Sequence, residues 1–586
     1  MQKRFRREDT LVTMKRYSAE ADCFGLLREW CGALLALQVD LPHEKTLDGG
    51  ILCPACRMIH GRCIDAVYPL MYMADRTGEE KYLSAAKRLF AWSANMRNDD
   101  GSIRNDAKSP WRGVTVFFAI ALHDALQKHG HLLDASEREV WRARLSEMGE
   151  WLYASLAVGA HAYINYYAAN ACAMALLGKL FGRESYLARA KELAAYCFKH
   201  VSGNGLLYGE GSPHDAVSPK GCPAIDAGGY NVEESLPSLT RYALTTGDSD
   251  ARKQCERLWR AHIDWMLPDG AWDDSVGTRT FKWTYWGSRT SDGCQDALFA
   301  LGRDDPLFAE AAVRNLRLLR ESTHGGLLCG GRDCFEHGDG TCVHHTFCHA
   351  KALAGTLDSG LYAFERVPLP ADVPARLRYY AENDTYRLSE GGWRMDVTAY
   401  DYPHRRGDHA SGGSVSLLWN RDCGAVLASG MLDYALIEPM NQQLPLRGEE
   451  QVCPCPRIES EIGGKRCGQH YDFAAVMRAE AADGCVRLHV DALLCDSAHR
   501  PADGGCTLDY TLTAHGLRIE GGVPPLLAQS ARFVLPVFSD AVKVTVLRGV
   551  LAGAAKPVFC LSPGFAGKEY TALPDADGRF TLEITV

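Results

Sequence analysis

The sequence predicts an α-then-β protein: an incomplete (α/α)n toroid of helical hairpins followed by an antiparallel β-sandwich. Three observations predict it. A helix–turn–helix unit recurs through the first 360 or so residues, Gly-rich turns bearing aromatic and charged residues follow most units, and from about Leu361 the pattern changes to short β-prone runs.

The helical units read YMADRTGEEKYLSAAKRLFAW from Tyr72, ALLGKLFGRESYLARAKELAAYC from Ala175, RYALTTGDSDARKQCERLWRAHIDW from Arg241 and ALGRDDPLFAEAAVRNLRLL from Ala300. Each has the apolar spacing of helices packed on one face. The turns are NDDGSI at Asn98, GNGLLYG at Gly203, LPDGAWDDS at Leu267 and HGGLLCGG at His324. A recurring helix pair must stack on its neighbours to bury its faces, which an open solenoid or a closed ring would satisfy. The Trp, Tyr, Asp, His and Arg content of the turns favours the ring, one end of which would line a pocket.

The β part contains GGWRMDVTAYDY, GGSVSLLWN, GCVRLHVDALL, GCTLDYTLTAHGLRIEGG and the terminal RFTLEITV. Their alternation, regular spacing and Gly/Asp turns indicate antiparallel sheets arranged as a sandwich. The expected domains are 1–365 (toroid) and 366–586 (sandwich), joined around Pro368 to Pro374. Such a split suits 586 residues, more than one core usually serves.

The net charge of -9 is spread along the chain without a basic face, which argues against nucleic acid as a partner. No apolar run is long enough to span a membrane, and the basic N-terminus lacks an apolar leader segment, so a cytoplasmic protein is expected. The 22 cysteines are expected as reduced, buried thiols. A homo-oligomer is compatible with this reading.

The densest polar and aromatic segment runs from Asp269 to Asp296. Trp272, Trp283, Tyr285 and Trp286 offer faces for sugar rings, and Asp273, Asp274, Lys282 and Arg289 can bond hydroxyls or a carboxylate. The plainer alternative is that the Trp side chains pack the top of the ring and the charges cap helices. In DAGGYNVEESLPSLTRYAL, Tyr230, Glu233 and Glu234 follow a Gly pair at a helix start, where a phenol can donate or accept a proton; a capping box over a buried aromatic is the alternative. HAYINYYAANACAMALLG opens an inner helix with Asn165, Tyr166 and Tyr167. An amide there can neutralise a carboxylate, or merely begin a helix. His60, Arg62, Glu234 and His345 complete the expected substrate-binding set.

Two Cys/His clusters raise a metal question: Cys53, Cys56, His60 and Cys63, and then Cys329, Cys334, His337, Cys342, His344, His345, Cys348 and His349. Neither matches a known ligand spacing, since the first CxxC lacks a second at zinc-finger distance. Buried thiols and pocket histidines are the default, no cofactor is required, and neither structural zinc nor calcium has a clear motif. In the β part, His404, Arg405, Arg406 and His409 occupy a polar loop that enters a strand, from which an imidazole can reach across the ring mouth.

In order, an α/α repeat region, an Asn–aromatic pair at an inner-helix start, a Gly–Tyr segment and a His/Gly-rich strand entry resemble the heparinase II/III-like and alginate lyase group of polysaccharide lyases. The resemblance covers most of the chain. It implies cleavage of a uronate-containing oligosaccharide or polysaccharide by β-elimination: a C6 carboxylate is neutralised, the C5 proton removed and the O4 leaving group protonated. Carried over, Asn165 is the neutraliser, Tyr230 the acid or the acid and base together, and His409 a base or neutraliser. Tyr166 stands where those lyases usually have a His, which leaves Tyr166, His409 and the histidines near His345 as candidate bases. The family's metal site, built from His and Asp of the β module, is not evident.

A glycoside hydrolase on the same scaffold, with two carboxylates chosen from Asp273, Asp274, Glu233 and Glu234, is the main rival. A non-catalytic sugar-binding protein would keep the Trp-rich loop without needing Tyr230.

Overall fold

The computed structural model describes residues 16–106, 109, 111–338, 340–403, 409–431 and 453–586. A first helix, α1 (Glu20–Ala36), precedes a series of hairpins: α2 (Val67–Thr77) with α3 (Glu80–Trp92), α4 (Thr115–His129) with α5 (Ala135–Ser155), and α6 (Ile164–Phe181) with α7 (Glu184–Cys197). Then come α8 (Leu236–Thr246) with α9 (Ser249–Ile263), α10 (Gln295–Leu301) with α11 (Pro306–Glu321), the one-turn α12 (Cys334–His337) and α13 (Val343–Asp358).

Helices α2, α4, α6, α8, α10 and α13 each touch the next, and α13 returns to α2. Where the sequence pointed to an incomplete toroid, these contacts run round the ring, with α1 packed outside α13 as the last outer helix. The inner helices are buried almost throughout, as in the Ala-rich α6, whereas outer helices such as α9 bury one face. The recurring Gly of the sequence units ends three inner helices: Gly78, Gly182 and Gly247 follow α2, α6 and α8 at φ of 68°, 64° and 73°, a left-handed turn that side chains with a Cβ resist.

Beyond Asp358 the chain forms two antiparallel sheets. The smaller has five consecutive strands: β1 (Leu377–Tyr380), β2 (Thr385–Glu390), β3 (Trp393–Thr398), β4 (Ser414–Asn420) and β5 (Gly424–Ala428). Among the described residues the larger has twelve strands, its centre formed by the long pair Cys485–Cys495 and Pro501–Thr513. Leu388, Met395 and Val415 of the small sheet share a core with Leu488, Leu508 and Phe533 of the large one, which makes the sandwich.

The outer side of the small sheet faces the toroid. Leu417, Trp419, Ala428 and Phe565 belong to the same buried cluster as Trp286 and Leu328 of the helical part, so the two modules share a core. Among the described residues, no helix is long and apolar enough to cross a membrane.

Candidate active site

The starts of several inner helices meet at one end of the ring. A 3-10 turn, Gly61–Ala66, leads into α2 and carries Arg62, and Asn165 lies in the first turn of α6. Tyr230 opens a π-helical turn, Asn231–Ser235, that runs into α8 and carries Glu234. Such one-turn widenings of a helix occur frequently at functional sites.

These residues form one network. Asn165 Nδ2 donates to Glu234 Oε2 at 2.6 Å, and Arg62 Nη1 lies 3.7 Å from Glu234 Oε1. Arg62 Nη1 also donates to the Thr290 carbonyl at 2.7 Å, while the Thr290 hydroxyl is 2.7 Å from the Tyr230 phenol oxygen. Lys282 Nζ donates to that same phenol oxygen at 3.0 Å and to Thr290 Oγ1 at 3.2 Å. Arg279 lies 4.3 Å over the Tyr230 ring and 4.6 Å over the Tyr163 ring, and touches Glu210 at 2.8 Å. Glu210 in turn accepts the backbone N–H of Asn165 at 3.1 Å. Thr290 has φ of 64°, costly for a β-branched residue, and the strained backbone aims its hydroxyl and carbonyl at Tyr230 and Arg62.

Burial sets the charge of the acids. It pushes the Glu234 carboxyl up to about 8, reinforced by the nearby Asp292, and the Glu210 carboxyl up to about 7. Glu234 is therefore predominantly protonated at neutral pH. Glu234 Oε1 and Asn165 Oδ1 are buried and have no hydrogen-bond partner, an unmet polar pair beside the cations. Such a site can receive a carboxylate at the amide and protonated-acid side and exchange a proton at the phenol.

Asn165, Tyr230, Arg62 and Glu234 thus lie together. Tyr166 flanks them: its hydroxyl accepts from Trp111 Nε1 at 2.9 Å, and burial, then Glu234 and Tyr230, push its phenol up.

The other expected residues lie elsewhere. Trp272, Trp283 and Trp286 are fully buried and cannot stack on a sugar; Trp283 donates to the Trp272 carbonyl and Trp286 to that of Cys329. Asp273 is buried and paired with Arg394 of β3 at 2.6 Å, and Arg289 donates to the Leu561 carbonyl. The Trp-rich loop is therefore clamped between helices and sandwich, and packing wins over sugar binding at these positions. His60 turns Nε2 to Cys56 Sγ at 3.0 Å, and His345 is buried against Trp286, its pKa held well down by burial. His409 faces backbone carbonyls with both ring nitrogens, at 3.0 Å (Ala410) and 3.1 Å (Tyr402). The loop residues His404, Arg405 and Arg406 lie outside the described residues.

Sequence reasoning missed Arg279, Glu210, Thr290 and Trp111. Trp111, 41% exposed beside Tyr166, is the aromatic face a sugar can reach. Of the four carboxylates of the hydrolase reading only Glu234 stands in this network. Burial, then Asp226 beside it, push the Asp274 carboxyl well above the usual carboxylate range, Asp273 is ion-paired, and Glu233 accepts from Ser288 and Ser291. Asp65, Asp292 and Cys348 group like metal ligands, but Lys351 Nζ, 3.2 Å and 2.9 Å from the two acids, already supplies the cation.

The family model described as the ulvan lyase N-terminal domain matches residues 27–369, and that described as the ulvan lyase C-terminal domain matches 377–548. The chain is 36% identical over 527 residues to a broad-specificity ulvan lyase of Formosa agariphila, covering 88% of this chain and 82% of that protein. The structure of a chondroitin AC lyase of Streptomyces coelicolor in complex with chondroitin sulphate is similar in fold, with a TM-score of 0.52 at 12% identity over 97% of this chain and 79% of that one. A mutant heparan sulfate lyase of Pedobacter heparinus aligns over 96% of this chain and 82% of its own, at 11% identity and a TM-score of 0.45. With both modules matched, the chain belongs to the ulvan lyase family and is a polysaccharide lyase that cleaves uronate-containing glycans by β-elimination.

Proposed function

We propose that this lyase acts on ulvan, with Tyr230 as the proton-transfer residue and Asn165, Glu234 and Arg62 as the carboxylate-binding group. The observation that carries the assignment is the Lys282 ammonium 3.0 Å from the Tyr230 oxygen, within one network with the Asn165–Glu234 pair.

In this reading a uronate carboxylate meets the Asn165 amide and the protonated Glu234 beside Arg62, so that charge gathering on the carboxylate during elimination is offset. Tyr230 enters as the phenolate, the C5–H bond breaks toward its oxygen, the electron pair forms the C4=C5 double bond, and the C4–O4 bond opens. The same phenol then returns its proton to O4. While Tyr230 lacks its proton, Lys282 and Arg279 compensate the charge. Trp111 supports a neighbouring sugar ring.

A cytoplasmic location belongs to the same proposal, supported by 22 cysteines all present as thiols, which a reducing compartment preserves. The test is a panel of ulvan, chondroitin sulphate and heparan sulfate followed by the absorbance of the unsaturated uronate product. Ulvan should give the fastest rise. A faster rise on either of the others would reassign the substrate.

A further inference from the structure

We propose that Cys53, Cys56, His60 and Cys342 form a Cys3His zinc site that fastens the chain entering the first inner helix to the start of the last. Ligand atoms of Cys53, Cys56 and His60 all lie within 4.8 Å of one another, and His60 Nε2 is 3.0 Å from Cys56 Sγ. The fourth group comes from the other end of the helical region: Cys342, the residue before α13, is buried in the same cluster as Cys53, where the segment at Gly340 packs against Ala55. Sequence spacing alone separates these two clusters, and the ring closure joins them.

The backbones are fitted to the contact. A Cβ on Gly340 would come within 2.8 Å of Ala55 Cα, so the two segments touch only because that residue is glycine. Arg57 adopts φ of 55° and donates its N–H to the Cys53 carbonyl at 2.9 Å, while Cys53 N–H donates to the Met58 carbonyl at 2.9 Å, which closes the Cys53–Cys56 turn. Cys53, His60 and Cys342 are buried, and His60 Nδ1 has no hydrogen-bond partner.

Three thiolates and an imidazole make a closed tetrahedral set with no position left for substrate, which marks a structural ion. With Zn–S about 2.3 Å and Zn–N about 2.0–2.1 Å, the ligand atoms would stand roughly 3.6–3.8 Å apart, a spacing the three within 4.8 Å reach by a small adjustment and Cys342 joins by turning its thiol inward. Binding displaces the three thiol protons. The ion would hold the turn that begins at His60 and carries Arg62 against α13, and so place Arg62 for its bond to Thr290.

Metal content of the purified full chain, reconstituted with zinc under reducing conditions, tests this. About one zinc per chain is expected, retained in Cys63→Ser, whose sulfur is not among the clustered ligand atoms, and lost in Cys342→Ser. Wild-type protein without zinc, or full zinc content in Cys342→Ser, overturns the proposal. Cobalt substitution of the wild type reads the ligands without any variant. Strong thiolate-to-cobalt charge transfer with tetrahedral d–d bands supports the site, and a weak octahedral spectrum overturns it.

Discussion

Lys282 places its ammonium nitrogen 3.0 Å from the phenol oxygen of Tyr230, and each side chain is only 5% exposed. A cation so close and so poorly solvated acts far more strongly than it would in water. Lys282→Met should lower kcat by about 10²–10³-fold with KM changed only a few-fold, because without the ammonium the Tyr230 phenol is harder to ionise and less of it is the base that takes the proton. Steady-state kinetics on ulvan fragments check the split. A rise in KM at unchanged kcat would instead make Lys282 a substrate clamp.

Glu234 gives the reaction an alkaline limit. Its carboxyl is pushed up to about 8, so it is predominantly protonated at pH 7 and ionises as the pH rises through that value. The new negative charge faces the substrate carboxylate, and kcat/KM should fall above about pH 8. Glu234→Gln keeps a neutral amide beside Asn165 and should move that limb to higher pH. An unchanged pH profile in the variant would assign the limb to another group.

The Asp273–Arg394 pair joins the modules. Arg394 Nη2 is 2.6 Å from Asp273 and 3.1 Å from Asp396, all of them buried. Arg394→Met leaves Asp273 without its closest cation and should cost about 3–5 kcal/mol in urea unfolding, while the folded fraction keeps its KM. A KM effect at full stability would return Asp273 to the substrate-binding residues.

Trp111 and Trp272 should behave oppositely. Trp111 is exposed beside Tyr166, so Trp111→Ala should raise KM roughly ten-fold and shift stability by no more than about 0.5 kcal/mol. Trp272 is fully buried, and Trp272→Ala should cost about 3–5 kcal/mol. Paired melting curves and kinetics check both.

The hairpin ring was legible because its signals are local: the left-handed glycines Gly78, Gly182 and Gly247 fall where each unit turns. Asn165 and Tyr230, singled out by the family resemblance, stand at inner-helix starts that the ring brings to one end. The Trp-rich loop was misread because composition does not reveal that two modules close on it. Lys282 was visible only as a charge, since its partner lies 52 residues away. The left-handed Thr290 carries no signal at all, because its conformation is imposed by its neighbours.

The central claim is that Tyr230 moves the proton. Unsaturated-uronate absorbance from Tyr230→Phe, recorded with substrate binding by calorimetry, tests it most directly. The account predicts near-wild-type binding with product formation down by about 10³-fold or more. Elimination within about ten-fold of wild type would contradict it and place the proton transfer on another group.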